Sequence, residues 1–228
     1  MSGDTDTLRE RHAAAVSHAC RLLADAHQPP NLDELARQVG YSRFQFHRVF
    51  KAVVGVTPHA CVAAGRAERV RDLLSSAERV SDAIYGAGFN SNGHFYASTA
   101  EILGMTPTSF RAGGQGARIH PVLAHCSLGR VLVAVSGWQG RSARTVCAVL
   151  VGGEAAMLRS RLSRRFPAAE IGEPDVRLRR LVSEAVHRAE LPDDSRALLE
   201  ERVQAIAFQV RVRQQLRAVT GADDAGAC

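Results

Sequence analysis

The segment from Asn31 to Lys51, NLDELARQVGYSRFQFHRVFK, constrains this chain more than any other, because it fixes a helix, a tight turn and a second helix in quick succession. Leu32, Leu35, Ala36 and Val39 recur at helical spacing, Gly40 stands where a left-handed backbone makes the turn, and Ser42 is placed to cap the next helix. In that second helix Phe46, Val49 and Phe50 share one face and are expected in the core. The other face carries Arg43, Phe44, His47, Arg48 and Lys51, so that cations, an imidazole and an aromatic ring lie on a surface about the width of a DNA major groove. A merely solvated helix face requires no agreement among turn, cap and apolar register. Here all three agree with a helix-turn-helix that docks on duplex DNA. Arg48 is best placed to read a base edge, with His47 and Phe44 beside it, whereas Ser42, Arg43 and Lys51 lie toward the phosphates.

A second pattern of the same kind follows from Val54 to Arg111, with IYGAGF at Ile84 to Phe89 and GMTPTSF at Gly104 to Phe110. On these motifs residues 1–112 resemble the AraC family of bacterial transcription regulators. The resemblance implies an all-α domain with two helix-turn-helix motifs joined by a long helix, Pro58 to Ser76, and entry of the two motifs into successive major-groove turns about 34 Å apart. In that helix Val62, Ala63, Val70, Leu73 and Leu74 form an apolar stripe, and Arg66, Arg69 and Arg71 are expected on its outer rim. Ahead of the first motif, Leu8 to Ala26 reads as a helix with Ala15, Val16, Ala19, Leu22 and Leu23 on one side, ended by Gln28, Pro29 and Pro30.

The second reading helix, Ser91 to Leu103, offers Asn92, His94 and Tyr96 to bases and Ser91 to a phosphate. It departs from the family where Ala97 and Ser98 replace the Arg and Lys that relatives commonly carry, and Gly93 weakens it by about 0.5 to 1 kcal/mol relative to Ala. From Glu78 to Arg111 the charges are Glu78, Arg79, Asp82, Glu101 and Arg111, without cationic excess. The second motif is therefore expected to contribute less phosphate affinity than the first.

The charge of the whole chain, +6 over 228 residues with a pI near 9.5, favours an anionic partner. Double-stranded DNA is that partner on the motifs above, with RNA polymerase as a second candidate; the oligomeric state stays open. A membrane is not expected, since no run approaches the roughly 20 apolar residues of a span and MSGDTDTLRERH lacks the pattern of a leader, which points to the cytoplasm. Cys20, Cys61, Cys126, Cys147 and Cys228 are scattered, without CxxC or Cys/His pairs at metal spacing, and most sit among apolar neighbours as small buried hydrophobes. No metal ligand and no cofactor is indicated.

Gly113, Gly114 and Gly116 are expected to form a short flexible linker over residues 113–118. Beyond it the period becomes extended, with strands over Ile119 to Cys126, Gly129 to Val135 and Thr145 to Val151 that predict a small antiparallel sheet. Glu154 to Phe166, Glu173 to His187 and Ala197 to Val219 then read as amphipathic helices, so residues 119–228 form an α+β domain. HCSLGRVLVAVS, CAVLVGGEAAMLRSRLSRRFPAAE and AFQVRVRQQLRAV resemble, in order, the methylated-DNA–protein cysteine methyltransferase part of Ada-type adaptive-response regulators. That resemblance implies a ribonuclease-H-like subdomain. Gly137 to Arg144, GWQGRSAR, reads as an extra or altered hairpin, and Ala205, Ile206 and Arg213 replace a Gly-Thr pair and a Trp of that family.

Family enzymes accept the alkyl group of O6-alkylguanine on a cysteine in a Pro-Cys-His-Arg run, where the histidine lowers the thiol pKa. This sequence contains no such run. Cys126 matches a strand position, and Cys228 stands near Asp223 and Asp224, which raise a thiol pKa. No catalytic residue is assigned, and enzymatic activity is not expected. The resulting expectation is a sequence-specific DNA-binding transcription regulator; the alternatives are a DNA-repair methyltransferase by descent, inactive here, and a truncated, non-functional remnant. Without the partner helices of a complete methyltransferase, Val203, Ile206, Val210 and Leu216 are expected to be exposed.

Overall fold

The structure is a computed structural model that describes residues 3–25, 30–75, 79–89, 95–96, 99, 102–137 and 144–224. In chain order its elements are α1 (Gly3–Asp25), α2 (Leu32–Gln38), α3 (Arg43–Val54), α4 (Pro58–Leu74), α5 (Val80–Gly86), α6 (Pro107–Arg111), β1 (Arg118–Cys126), β2 (Gly129–Gly137) and β3 (Arg144–Gly152). They continue with α7 (Ala155–Arg165), β4 (Glu170–Ile171), α8 (Val176–Ala189), α9 (Asp193–Leu198) and α10 (Glu201–Asp224). Contacts divide the chain into two compact units, Met1–Gly65 with Glu190–Arg211, and Arg66–Ala189 with Val212–Cys228.

The first unit is helical. Each helix of its motif begins on a reciprocal cap. Asn31 accepts from the Glu34 N–H while Glu34 accepts from the Asn31 N–H, both at 2.9 Å, and Ser42 and Gln45 repeat the arrangement at 3.3 and 3.2 Å. Between them the Tyr41 N–H donates to the Ala36 carbonyl at 2.9 Å, and Gly40 has φ of 75°, the left-handed conformation the turn needs. Phe46 and Phe50 meet edge to face at 5.5 Å and are buried with Val16, Ala19, Leu35 and Val54.

Leu191, Leu199, Val203, Ala207 and Val210 complete this same core. The expectation that the last helix exposes its apolar face is thereby corrected. Leu216 is buried in the second unit, and in the first Val203 and Val210 are buried and Ile206 half-buried, because residues 190–211 find their apolar partners in α1 and the helices of the first motif. Exposed ion pairs Arg21–Glu200 and Arg9–Asp194 join α1 to this segment at its rim.

The second unit is built on a four-stranded sheet in the order β3-β2-β1-β4. β1 and β2 pair antiparallel from Arg118↔Gly137 to Cys126↔Gly129, and β2 pairs antiparallel with β3 through a register shift at Ala134/Val135. The sheet is mixed rather than wholly antiparallel, since β4 pairs parallel with β1, Ile119 opposite Ile171. The sequence signal for β4 is two residues long, too short for any period to register. α7 packs Leu158 and Leu162 inward, and α8 packs against β1 with Leu178, Val182 and Val186 buried. Residues 138–143 of the expected altered hairpin lie outside the described residues.

One core joins the second motif to the sheet: Val70, Leu74, Ile84, Phe95 and Leu103 are buried in the same cluster as Ile119, Leu132, Ala134 and Cys147. The closest approach is at Gly104, with φ of 73°. A Cβ there would lie 2.9 Å from the Cβ of Cys147 and 3.0 Å from its Cα. The Ser136 hydroxyl donates to the Gly104 carbonyl at the same point. The stretch expected to be a flexible linker is fixed by hydrogen bonds instead. The Ala168 N–H donates to the Gly113 carbonyl and the Ala117 N–H to the Gly114 carbonyl, both at 2.9 Å.

Arg71 is corrected from rim to core. It is 3% exposed because its position falls among Ala67, Val70 and Leu74 on the inward face of α4. Its guanidinium donates from Nε to the Ile102 carbonyl at 3.0 Å and from Nη1 to Glu68 at 2.5 Å, so its charge enters the interior fully bonded. Burial raises the Glu68 carboxyl, but Arg71 and Arg165 outweigh it and bring the group down to about 2.

Candidate nucleic-acid interface

The caps and the buried Phe46 and Phe50 fix the rotation of α3 about its axis, and with it the face turned to solvent. On that face Phe44, Arg48 and Lys51 are exposed at positions i, i+4 and i+7, with His47 half-buried beside them. Phe44 is 72% exposed, whereas Phe46, two residues on, is at 0%. A large aromatic ring held in water by a rigid helix is unfavourable for the isolated unit and fits a surface that meets apolar base edges. Arg43 reaches back to Asp33 at 3.5 Å across an exposed pair, a contact weak enough to yield to a phosphate. Ser42 is exposed at the start of α3, where its hydroxyl is engaged with Gln45.

In the second unit Tyr96 is 55% exposed while its neighbour Phe95 is buried, stacked edge to face on Phe89 at 5.3 Å. Ser91, Asn92 and His94, the other expected contacts of the second motif, lie outside the described residues. Sequence reasoning missed Arg71, whose bond to the Ile102 carbonyl ties α4 to the end of this segment. The available signal was its apolar register, three residues before Leu74 and four after Ala67.

Three of the described thiols belong to packing. Cys20, Cys61 and Cys147 are buried, and burial pushes Cys61 and Cys147 up to about 12 and raises Cys20 further. Cys126 ends β1 and is half-buried. Among the described residues no helix is long and apolar enough to cross a membrane.

Two capped helices around a glycine turn, with a cationic and aromatic stripe outward, define a DNA-binding domain of the helix-turn-helix class. Residues 35–113 match the family described as a helix-turn-helix domain, and this part of the chain is of AraC type. The chain is similar over most of its length to Ada regulators. It is 39% identical over 204 residues to the bifunctional transcriptional activator/DNA repair enzyme Ada of Escherichia coli, covering 90% of this chain and 55% of that protein. It is 34% identical over 216 residues to the regulatory protein Ada of Salmonella typhimurium, covering 95% of this chain and 59% of that one. The chain thus spans somewhat over half the length of these relatives. A solved AraC-type transcriptional regulator from Chromobacterium violaceum aligns at 26% identity over 49% of this chain and 96% of its own, with a TM-score of 0.38.

Proposed function

We propose that the chain is a sequence-specific DNA-binding transcription regulator in which α3 reads the major groove. The observation that carries this is the opposition on one helix of a buried Phe46–Phe50 face and an exposed Phe44–Arg48–Lys51 face. Arg48 reads a base edge beside His47 and Phe44, and Ser42, Arg43 and Lys51 contact phosphates. Asn92, His94 and Tyr96, with Ser91 on a phosphate, form the second reading surface. Residues 1–112 are the DNA-binding portion and residues 119–228 a methyltransferase-like portion. Its three antiparallel strands, helix and parallel fourth strand support the ribonuclease-H-like assignment. A regulator of this kind works in the cytoplasm, with RNA polymerase as its second partner if it activates.

The test begins with selection of a preferred duplex from a random library. Arg48→Ala is then expected to cost about 1 to 3 kcal/mol on that duplex and much less on random DNA, because a bidentate Arg–guanine contact carries the discrimination. Lys51→Ala is expected to weaken both alike and lower the salt slope by about one unit. Equal losses on both duplexes for Arg48→Ala would remove it from base reading.

We infer further that this chain does not accept alkyl groups. The sequence contains no Pro-Cys-His-Arg run, and the buried Cys61 and Cys147 thiols, pushed up to about 12, are not thiolates at neutral pH. Incubation with duplex containing O6-methylguanine is expected to leave the intact mass unchanged; a gain of one methyl group on any cysteine overturns the inference.

A further inference from the structure

The second motif carries no cationic excess from Glu78 to Arg111, yet a cationic helix is anchored within the same unit. α7 carries Arg159, Arg161, Arg164 and Arg165 and no acid. Arg165, the least exposed of them, is the anchor. It bonds Glu68 at 3.0 Å, lies 3.6 Å from Asp72, both on α4, and sits over the Phe110 ring of α6 at 5.9 Å. Phe166, the residue after the helix, meets Phe110 edge to face at 5.3 Å.

Helical spacing places Arg161 and Arg164 on the flank of α7 from which Arg165 reaches α4, and Arg159 on the opposite flank. Arg159, Arg161 and Arg164 are exposed, and among the described residues none of them forms an ion pair; Arg161 donates to the Val151 carbonyl at 3.2 Å, which steadies its guanidinium at the sheet edge. α8 is built differently. There Arg180 and Arg188 share Glu184, and Arg179 faces Glu173. Glu68 and Asp72 engage Arg165 on this flank, which leaves the exposed Arg161 and Arg164 without an acid among the described residues; beside a DNA-reading motif whose own charges sum to no excess, they are complementary to a polyanion.

We propose that Arg161 and Arg164 on α7 contact the phosphates of the duplex held by the helix-turn-helix domain, supplying the sequence-independent affinity that the second motif lacks. This rests on the DNA-binding function proposed above. Removing one cation from a phosphate lowers the salt slope by about 0.9 units, so the double variant Arg161→Gln/Arg164→Gln is expected to flatten it by about two units and to weaken binding about tenfold at moderate salt.

The experiment measures anisotropy of a labelled random-sequence duplex at several salt concentrations, with the full chain. Arg161→Lys/Arg164→Lys, which keeps the charge, is expected to recover most of the slope, and Arg180→Gln/Arg188→Gln, an equal loss of charge on α8, to leave it unchanged. Wild-type protein that does not bind the duplex in a salt-dependent way refutes DNA binding itself. Wild-type binding with an unchanged slope in the α7 glutamine variant refutes only the α7 surface and leaves an acidic protein as its partner. An equal fall in the α8 variant refutes the surface too, by reducing it to bulk charge.

Discussion

Phe46→Ala is expected to destabilise the first unit by about 3 to 5 kcal/mol and to abolish DNA binding at ambient temperature. The ring is fully buried against Phe50 and within a cluster that draws on both α1 and the segment after Glu190, so its removal leaves a cavity that several elements must close together. Whole-domain stabilities are only about 5 to 15 kcal/mol, so the loss is a large share of the margin. Phe44→Ala provides the contrast. That ring is 72% exposed, and its loss is expected to change stability by less than about 0.5 kcal/mol while still weakening binding to the preferred duplex. Urea unfolding followed by far-ultraviolet circular dichroism measures the first effect, and anisotropy the second. If the two variants lose equal stability, the division of α3 into a core face and a reading face is refuted.

Gly104→Ala is the second large effect, expected at about 2 to 5 kcal/mol from two costs that act together. A non-glycine residue at φ of 73° pays about 1 to 2 kcal/mol for the left-handed backbone, and a Cβ placed 2.9 Å from the Cys147 Cβ and 3.0 Å from its Cα overpacks against the backbone of β3. Gly40→Ala isolates the first cost, since Gly40 has φ of 75° and nothing within 4 Å of its added Cβ. The difference between the two losses of unfolding free energy, each the shift of its own unit's urea midpoint multiplied by the m-value, measures the contact of the second motif with the sheet. It is expected to exceed about 1 kcal/mol, with exchange protection falling across β2 and β3; no difference would mean that this contact does not constrain the fold.

The first motif was legible because every device that builds it is local: Asn31 with Glu34, Ser42 with Gln45, Gly40 between them, and the Phe46 to Phe50 spacing. The reading face followed from the core face by helical geometry alone. The features that escaped are those decided by residues distant in sequence. Arg71 stands in the apolar register of α4, but what makes a cation tenable there, the Ile102 carbonyl, lies 31 positions away. β4 exists only as an addition beside β1, and the apolar face of α10 looked uncovered because its partners belong to helices near the start of the chain. The charge of α7 was visible as the run of arginines at 159, 161, 164 and 165. What gives it a place, the hold of Arg165 on Glu68, was not.

The discontinuity of the first unit bears on how the protein is made. Its reading helix is complete by Val54, yet five of the side chains that close its core, from Leu191 to Val210, are synthesised well over a hundred residues later. At synthesis rates of about 5 to 20 residues per second, the ribosome holds α1 to α3 for roughly ten seconds or more without that cover, with apolar surface open to solvent and to chaperones. Closing so long a loop adds little to the equilibrium cost but delays folding. The nascent chain therefore gains a finished DNA-reading unit only after the intervening sheet and helices have been synthesised.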